Sequence, residues 1–257
     1  MSVTETVNRP QQHHLDEGLL NKTVQVVVAG CGGTGSTIAA GLPYLHQAML
    51  HQGHPGGLQV MLADGDRISR TNCVRQPFSE SEIGMYKAEI LAHRINLFWG
   101  LGWEARSEYI DTSSGFHSSP DLLISCVDTR AARKMLLSSS LFWDCCYWLD
   151  LGNNASSGQF VLGQPDNRRN KRLGAARLPT VNELYPEIVD AKLDREDTLP
   201  ACSAIEALER QEPFVNQTLA YHALALLARL FRYGSIRHHG GFVNFESGKT
   251  ASLAVPA

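Results

Sequence analysis

Val26-Val-Val-Ala-Gly-Cys-Gly-Gly-Thr-Gly35 decides the fold of this chain: an apolar, β-branched run breaks into glycines and then resumes as a helical pattern. Residues 24–29 are almost wholly apolar, which suits a strand buried on both faces of a parallel sheet. Gly30, Gly32, Gly33 and Gly35 follow that strand and open a helix expected over residues 36–50, where Pro43 should kink it or end its regular part. Backbone amides at the head of such a helix approach a phosphate at the positive end of the helix dipole. Taken alone, the same turn also fits a Rossmann crossover that holds no nucleotide.

Working outward, residues 58–63 form a second apolar strand ending at Asp64, and residues 84–98 have helical periodicity. Residues 103–110 are a weaker strand candidate and 122–127 a stronger one, followed by a helix over 129–137. Two more strands, 147–151 and 159–162, flank a polar Gly152-Asn-Asn154 turn. This alternation predicts an α/β fold: a doubly wound, mostly parallel Rossmann-like sheet with right-handed crossovers, helices on both faces and a few later mixed or antiparallel strands. The organisation expected is an N-terminal arm (1–22), a nucleotide-binding core (23–163), a mobile crossover-type loop (164–199) and a C-terminal part (200–257) completing the same domain. The loop carries a basic cluster (Arg168, Arg169, Lys171, Arg172, Arg177) and then an acidic one (Glu183, Glu187, Asp190, Asp194, Glu196, Asp197). It reads either as a solvated excursion or as a surface that steers a partner's tail. Residues 203–209 and 213–231 return to helical periodicity, and 241–245 is a candidate last strand.

Bulk properties remove several classes. A length of 257 residues with 43% hydrophobic and 19% charged residues fits one soluble domain with a sizeable core. A net charge of −3 provides no basic field for nucleic acid or an anionic membrane. No apolar run is long enough to span a bilayer, and residues 1–18 lack the apolar centre of a signal peptide, so a reducing cytoplasm is the expected compartment. None of the six cysteines forms a Cys-x-x-Cys pair, so structural zinc is not expected. The ten histidines make no ligand pattern.

The polar residues around the turn speak to chemistry. Asp64, closing the second strand, can accept hydrogen bonds from both ribose hydroxyls, or it can simply cap a turn. Asn72, Arg75 and Gln76 lie in a polar loop, and Lys87 opens the next helix. A dinucleotide enzyme has no need of them. A reaction that releases pyrophosphate does, because planar Arg and compact Lys donors stabilise the charge developing on that leaving group. Asp128, at the carboxyl end of the 122–127 strand, can hold Mg²⁺ together with phosphate oxygens. Arg133 either pairs with a carboxylate or solvates its helix. Cys202 stands near the start of a helical run, where a thiolate is stabilised and can attack an activated acyl group to give a thioester. A buried structural thiol is the alternative there. Cys145 and Cys146 read as packing, and Cys31 as a small residue tolerated in the turn.

In this order, Gly30-x-Gly-Gly-x-Gly35, Asp64-x-Asp66, Asn72-x-x-Arg75-Gln76, Lys87 and Asp128-x-x-x-x-Arg133 resemble the ThiF/MoeB group, bacterial relatives of the ubiquitin-activating enzymes. Residues 147–152 and 158–163 are similar to that group's later strands, and the resemblance is specific over 24–163. The segment Pro200-Ala-Cys202-Ser-Ala-Ile-Glu-Ala-Leu looks most like the ThiF-type proteins of the plasmid-borne PRTRC cassette. The resemblance implies ATP-dependent adenylation of the C-terminal glycine of a small, ubiquitin-like β-grasp protein. It implies Gly32, Gly33 and Gly35 against the nucleotide, Asp64 on the ribose, Asn72, Arg75 and Lys87 on the triphosphate, and Asp128 on the metal. It further implies a symmetric homodimer in which Arg9 of Asn8-Arg9 enters the partner's site, although Pro10 departs from the pattern. A downstream conjugating or sulfur-transfer protein is a further implied partner. The group's zinc-binding cysteine pairs are missing here. Two other classes stay open: a non-catalytic nucleotide-binding scaffold of a plasmid cassette, and an NAD(P)-dependent oxidoreductase that leaves residues 72–76 and Lys87 without a task.

Overall fold

A computed structural model describes residues 11–110, 119–195 and 212–256. The first crossover runs from β2 (Val24–Ala29) through α1 (Gly33–His51) to β3 (Leu58–Ala63); β1 (His13–His14) precedes it. A long loop holding the one-turn α2 (Asn72–Arg75) leads to α3 (Lys87–Trp99) and β4 (Glu104–Arg106). The chain then returns to the middle as β5 (Leu122–Ser125), α4 (Arg130–Ser138) and β6 (Tyr147–Asn153), and turns back as β7 (Ser157–Gly163). Short α5 (Val181–Leu184), α6 (Val215–Tyr233), β8 (Ser235–Ile236), β9 (His238–Asn244) and β10 (Lys249–Ala254) follow.

One eight-stranded sheet has the order β10-β9-β7-β6-β5-β2-β3-β4. The strands from β6 to β4 are all parallel, and β7, β9 and β10 extend the sheet antiparallel. Strand order reverses beside β2, which pairs with β3 on one side and β5 on the other. That is the switch point at which such sheets open a crevice beyond the carboxyl ends of their strands.

Alternation along the strands divides the core. Val24, Val26 and Val28 of β2 face a layer built by Ile38 and Leu42 of α1, Leu91 and Ile95 of α3, and Leu219, Leu226 and Leu230 of α6. Val27 and Ala29 face the other way, onto Leu136 of α4 and Val181 of α5. No helix among the described residues is long and apolar enough to cross a membrane.

Several expectations need correction. Helix α1 starts earlier, at Gly33, and Pro43 does not end it. A mid-helix proline forfeits one backbone hydrogen bond; Leu45, His46 and Met49, buried beyond it, hold the remaining turns in place. Residues 72–75 are a helical turn rather than loop, and β4 is limited to three residues. The described part of the N-terminal arm is packed: Leu15 and Leu19 are buried, and β1 pairs with β8. Residues 164–195 are not an excursion free of the core. They form short helical turns that bury Gln164, Asn170, Leu178, Thr180 and Val181. The last strand is followed by β10, an exposed edge strand that the sequence reading missed.

Under α4 lies a polar network excluded from water. Arg133 Nε pairs with Asp150 at 3.0 Å, and Asp150 is 0% exposed. Ser125 donates to Asp150 at 2.6 Å, Trp148 donates to Ser125 at 2.7 Å, and Arg133 Nη2 reaches the Leu151 carbonyl at 3.1 Å. Removing one member strands a buried charge. Arg133→Leu should therefore cost about 3–5 kcal/mol in urea unfolding. The Arg133→Leu/Asp150→Leu pair should recover most of that loss. Equal loss in the single and double variants would contradict the pairing.

A second consequence concerns acid. His13 is buried and hydrogen-bonded to the Tyr147 hydroxyl at 2.8 Å; burial above all holds its pKa down, at about 4. Burial lowers His239 as well. A histidine kept neutral in the fold contributes stability that is full above its unfolded pKa near 6.5 and is lost as pH falls toward 4. Melting temperature should drop across that window, His13 accounting for about 3 kcal/mol. His13→Gln should flatten the drop; an unchanged acid limb in that variant would contradict the assignment.

Candidate nucleotide site

The carboxyl ends of β2, β3 and β5 converge on the glycine turn. The Gly30 amide donates to Ala63 O at 2.9 Å and the Cys126 amide to Ala29 O at 2.8 Å, so the turn is seated between both neighbouring strands. Gly30 has φ +90°, a left-handed conformation that favours glycine, and a Cβ there would come within 2.9 Å of Cys126 O. A Cβ on Gly35 would overlap the Gly30 carbonyl, and one on Gly33 would overlap the Asn216 amide. These three glycines are required by the protein's own packing. Gly32 differs: it is the N-cap of α1, and a Cβ there would meet only Gln76 Nε2, at 3.9 Å. The amides heading α1 carry the positive end of a long helix with no acidic side chain in its first turn.

Both carboxylate oxygens of Asp64 accept from backbone. Its Oδ2 accepts from the Cys31 amide at 2.5 Å and its Oδ1 from the Asp66 amide at 2.7 Å. These bonds tie β3 to the glycine turn and leave each oxygen a further lone pair. Burial raises its pKa, against the pull of those amides and of the Lys87 charge. Asp66 and Lys87 face each other because residues 67 and 86 form an antiparallel bridge, with the Arg67 guanidinium 3.9 Å above the Tyr86 ring. Lys87 Nζ lies 2.7 Å from Asp66 Oδ2, and the lysine side chain is only 7% exposed. Tyr109 donates to the other Asp66 oxygen at 2.6 Å. Burial opposes ionisation of Asp66, but the bonds from Lys87 and Tyr109 prevail and hold its carboxyl below the ordinary value. The same bond to Asp66, ahead of burial, pushes Tyr109 up to about 12.

The remaining predicted residues divide. Asn72 Oδ1 accepts from the Ser69 amide and hydroxyl, at 2.8 and 2.9 Å, which closes the turn before α2. Arg75 is half-buried in the last turn of α2, and Gln76 follows it toward Gly32. Asp128 is exposed, just past β5 and beside the N-cap Thr129 of α4. Arg133 is consumed by Asp150. Cys31, Cys145 and Cys146 are buried, and burial raises all three thiols. Arg9 and Cys202 lie outside the described residues. Among the described residues no group of three or more His, Cys, Asp or Glu is arranged to hold a metal ion.

Sequence reading missed three contributors. Tyr109 stood in a weak strand candidate with nothing to mark it. Asn216 Oδ1 accepts from Thr34 Oγ1 at 2.8 Å and from Asn153 Nδ2 at 3.2 Å, joining α6 and β6 to the head of α1. Asp194 caps α4: the Arg130 and Ala131 amides donate to its carboxylate at 2.9 and 2.8 Å. The charged clusters of 164–195 are likewise engaged within the molecule, Arg169 with Asp121, Arg172 with Asp16 and Arg177 with Glu183.

A ThiF family profile matches residues 14–249. Among solved structures, E. coli MccB with MccA superposes with a TM-score of 0.60 at 18% identity, covering 92% of this chain and 64% of MccB. E. coli MccB with ATP gives 0.57 at 19%, with the same coverage of 92% and 64%. PaaA gives 0.60 at 14%, covering 92% of this chain and 65% of PaaA. This chain therefore spans under two thirds of the length of those neighbours, and at such identities the likeness is one of fold. No curated protein matches the sequence. The profile covers most of the chain, and the switch-point glycine turn carries the expected polar residues: the chain belongs to the ThiF family.

Proposed function

We propose that this protein spends ATP to adenylate the C-terminal carboxylate of a small ubiquitin-like protein. The observation that carries this reading is Lys87: an ammonium almost stripped of water, whose charge is felt at both Asp64 and Cys31 of the glycine turn. A buried cation close to a glycine turn at the switch point suits the charge of a triphosphate. Neighbours of this fold have been solved with ATP and with MccA.

In the reaction the substrate carboxylate attacks the α-phosphorus, the bond to the bridging oxygen breaks, and pyrophosphate leaves with the electron pair. Lys87 and Arg75 then face the charge that accumulates on the leaving group. The Gly32–Gly35 amides orient the phosphates, and Asp64 offers its remaining lone pairs to the ribose. Asp128 suits Mg²⁺, which typically takes one or two carboxylates and fills its shell with phosphate oxygens and water; no protein cage of three ligands is needed. The ion would neutralise phosphate charge when bound. In the same reading Arg9 enters a partner protomer's site, Cys202 accepts the activated acyl group as a thioester, and the protein works in the cytoplasm within a PRTRC-type cassette.

ATP–pyrophosphate exchange, driven by a small protein ending in glycine, tests the reading. Arg75→Ala, Lys87→Ala and Asp128→Ala should each reduce exchange by about 100-fold or more, the scale of a lost transition-state donor. Wild-type exchange in all three variants would contradict it.

A further inference from the structure

This inference rests on the nucleotide reading above and deepens it: we propose that the Tyr109 ring is the stacking platform for the purine base. Tyr109 follows β4 at the carboxyl edge of the sheet, in the loop next to the one that carries Asp64. Its ring is braced against Gly65, the residue between the two carboxylates; a Cβ on Gly65 would come within 2.7 Å of the ring carbons. Its hydroxyl is tied to Asp66 at 2.6 Å. Yet the residue is 68% exposed. One flank of the ring is thus fixed by the Asp64–Asp66 turn and the other is open.

Core packing does not explain this arrangement. An exposed tyrosine buries little area, and one hydrogen bond to a half-exposed carboxylate contributes about 1 kcal/mol. What the arrangement does provide is an aromatic face whose rotation is already restrained, so that a ligand settling on it orders no further side chain. A ribose held by Asp64 would lie next to Gly65, over which the ring stands, within reach of its base. Aromatic–base stacking uses the π-face and ignores the hydrogen-bonding edge, and the larger purine covers more of the ring than a pyrimidine does. Glycine at position 65 follows from the same arrangement, since any side chain there would displace the ring.

Calorimetric titration of the full chain with ATP, CTP and inorganic tripolyphosphate tests this, using wild type, Tyr109→Ala and Tyr109→Phe. Losing one stacked base should raise the ATP Kd of Tyr109→Ala by about tenfold. Tripolyphosphate, which has no base, should bind the Ala variant as it binds wild type, and the preference for ATP over CTP should shrink. Tyr109→Phe, which keeps the ring, should restore ATP binding to within about threefold of wild type. Matching melting curves would show that the Ala variant is folded. The platform is overturned if the Ala variant binds ATP as wild type does. It is equally overturned if the Ala variant loses ATP and tripolyphosphate by one factor, because the ring would then act only through Asp66 and Lys87. Wild type that binds no ATP would overturn the adenylation reading together with the platform.

Discussion

Burial of the Lys87 ammonium is the constraint on which the site depends. A cation with a 7% exposed side chain requires a carboxylate beside it, and Asp66 supplies one at 2.7 Å. The two are far apart in sequence and meet because the chain folds back through the bridge between Arg67 and Tyr86. Asp66 is itself held from the other side by Tyr109. In the proposed reaction, a phosphate arriving at this cation would meet a charge already aimed and largely dehydrated, leaving little reorganisation for the chemical step.

That cation acts where the sheet opens. The switch beside β2 places the glycine turn between Ala63 and Cys126, and the close approach of Gly30 and Gly35 to their neighbours is what allows the turn to sit so deep. Both faces of the sheet take part in holding the site. From one face, α6 reaches the head of α1 through Asn216. On the other, residues 164–195 reach α4, where Asp194 caps the helix that follows Asp128. The segment that looked least structural thus fixes an element next to Asp128.

What was legible in the sequence was local. The parallel strands announced themselves through β-branched runs that must be buried on both faces, and α6 through its apolar stripe. The glycine turn, Asp64 and Lys87 were readable because strand, turn and helix head lie together in the chain. The failures share a physical cause. Arg169 and Arg172 looked solvated because their carboxylates, Asp121 and Asp16, lie on other elements; for the same reason the sequence left Arg133 open between a carboxylate partner and solvent, and Asp150 decides it. β10 is exposed on nearly every residue, so it has no apolar alternation to reveal it. Tyr109 and Asn216 matter only because tertiary structure brings them to the turn, and no spacing rule marks such a residue.

The central claim is that this crevice is built for a triphosphate. A crystal structure with a non-hydrolysable ATP analogue and Mg²⁺ tests it most directly. The account predicts phosphate oxygens on the Gly32–Gly35 amides, with Lys87 and Arg75 turned to the β- and γ-phosphates. A nucleotide bound elsewhere, or phosphates that leave Lys87 in contact with Asp66 alone, would contradict it.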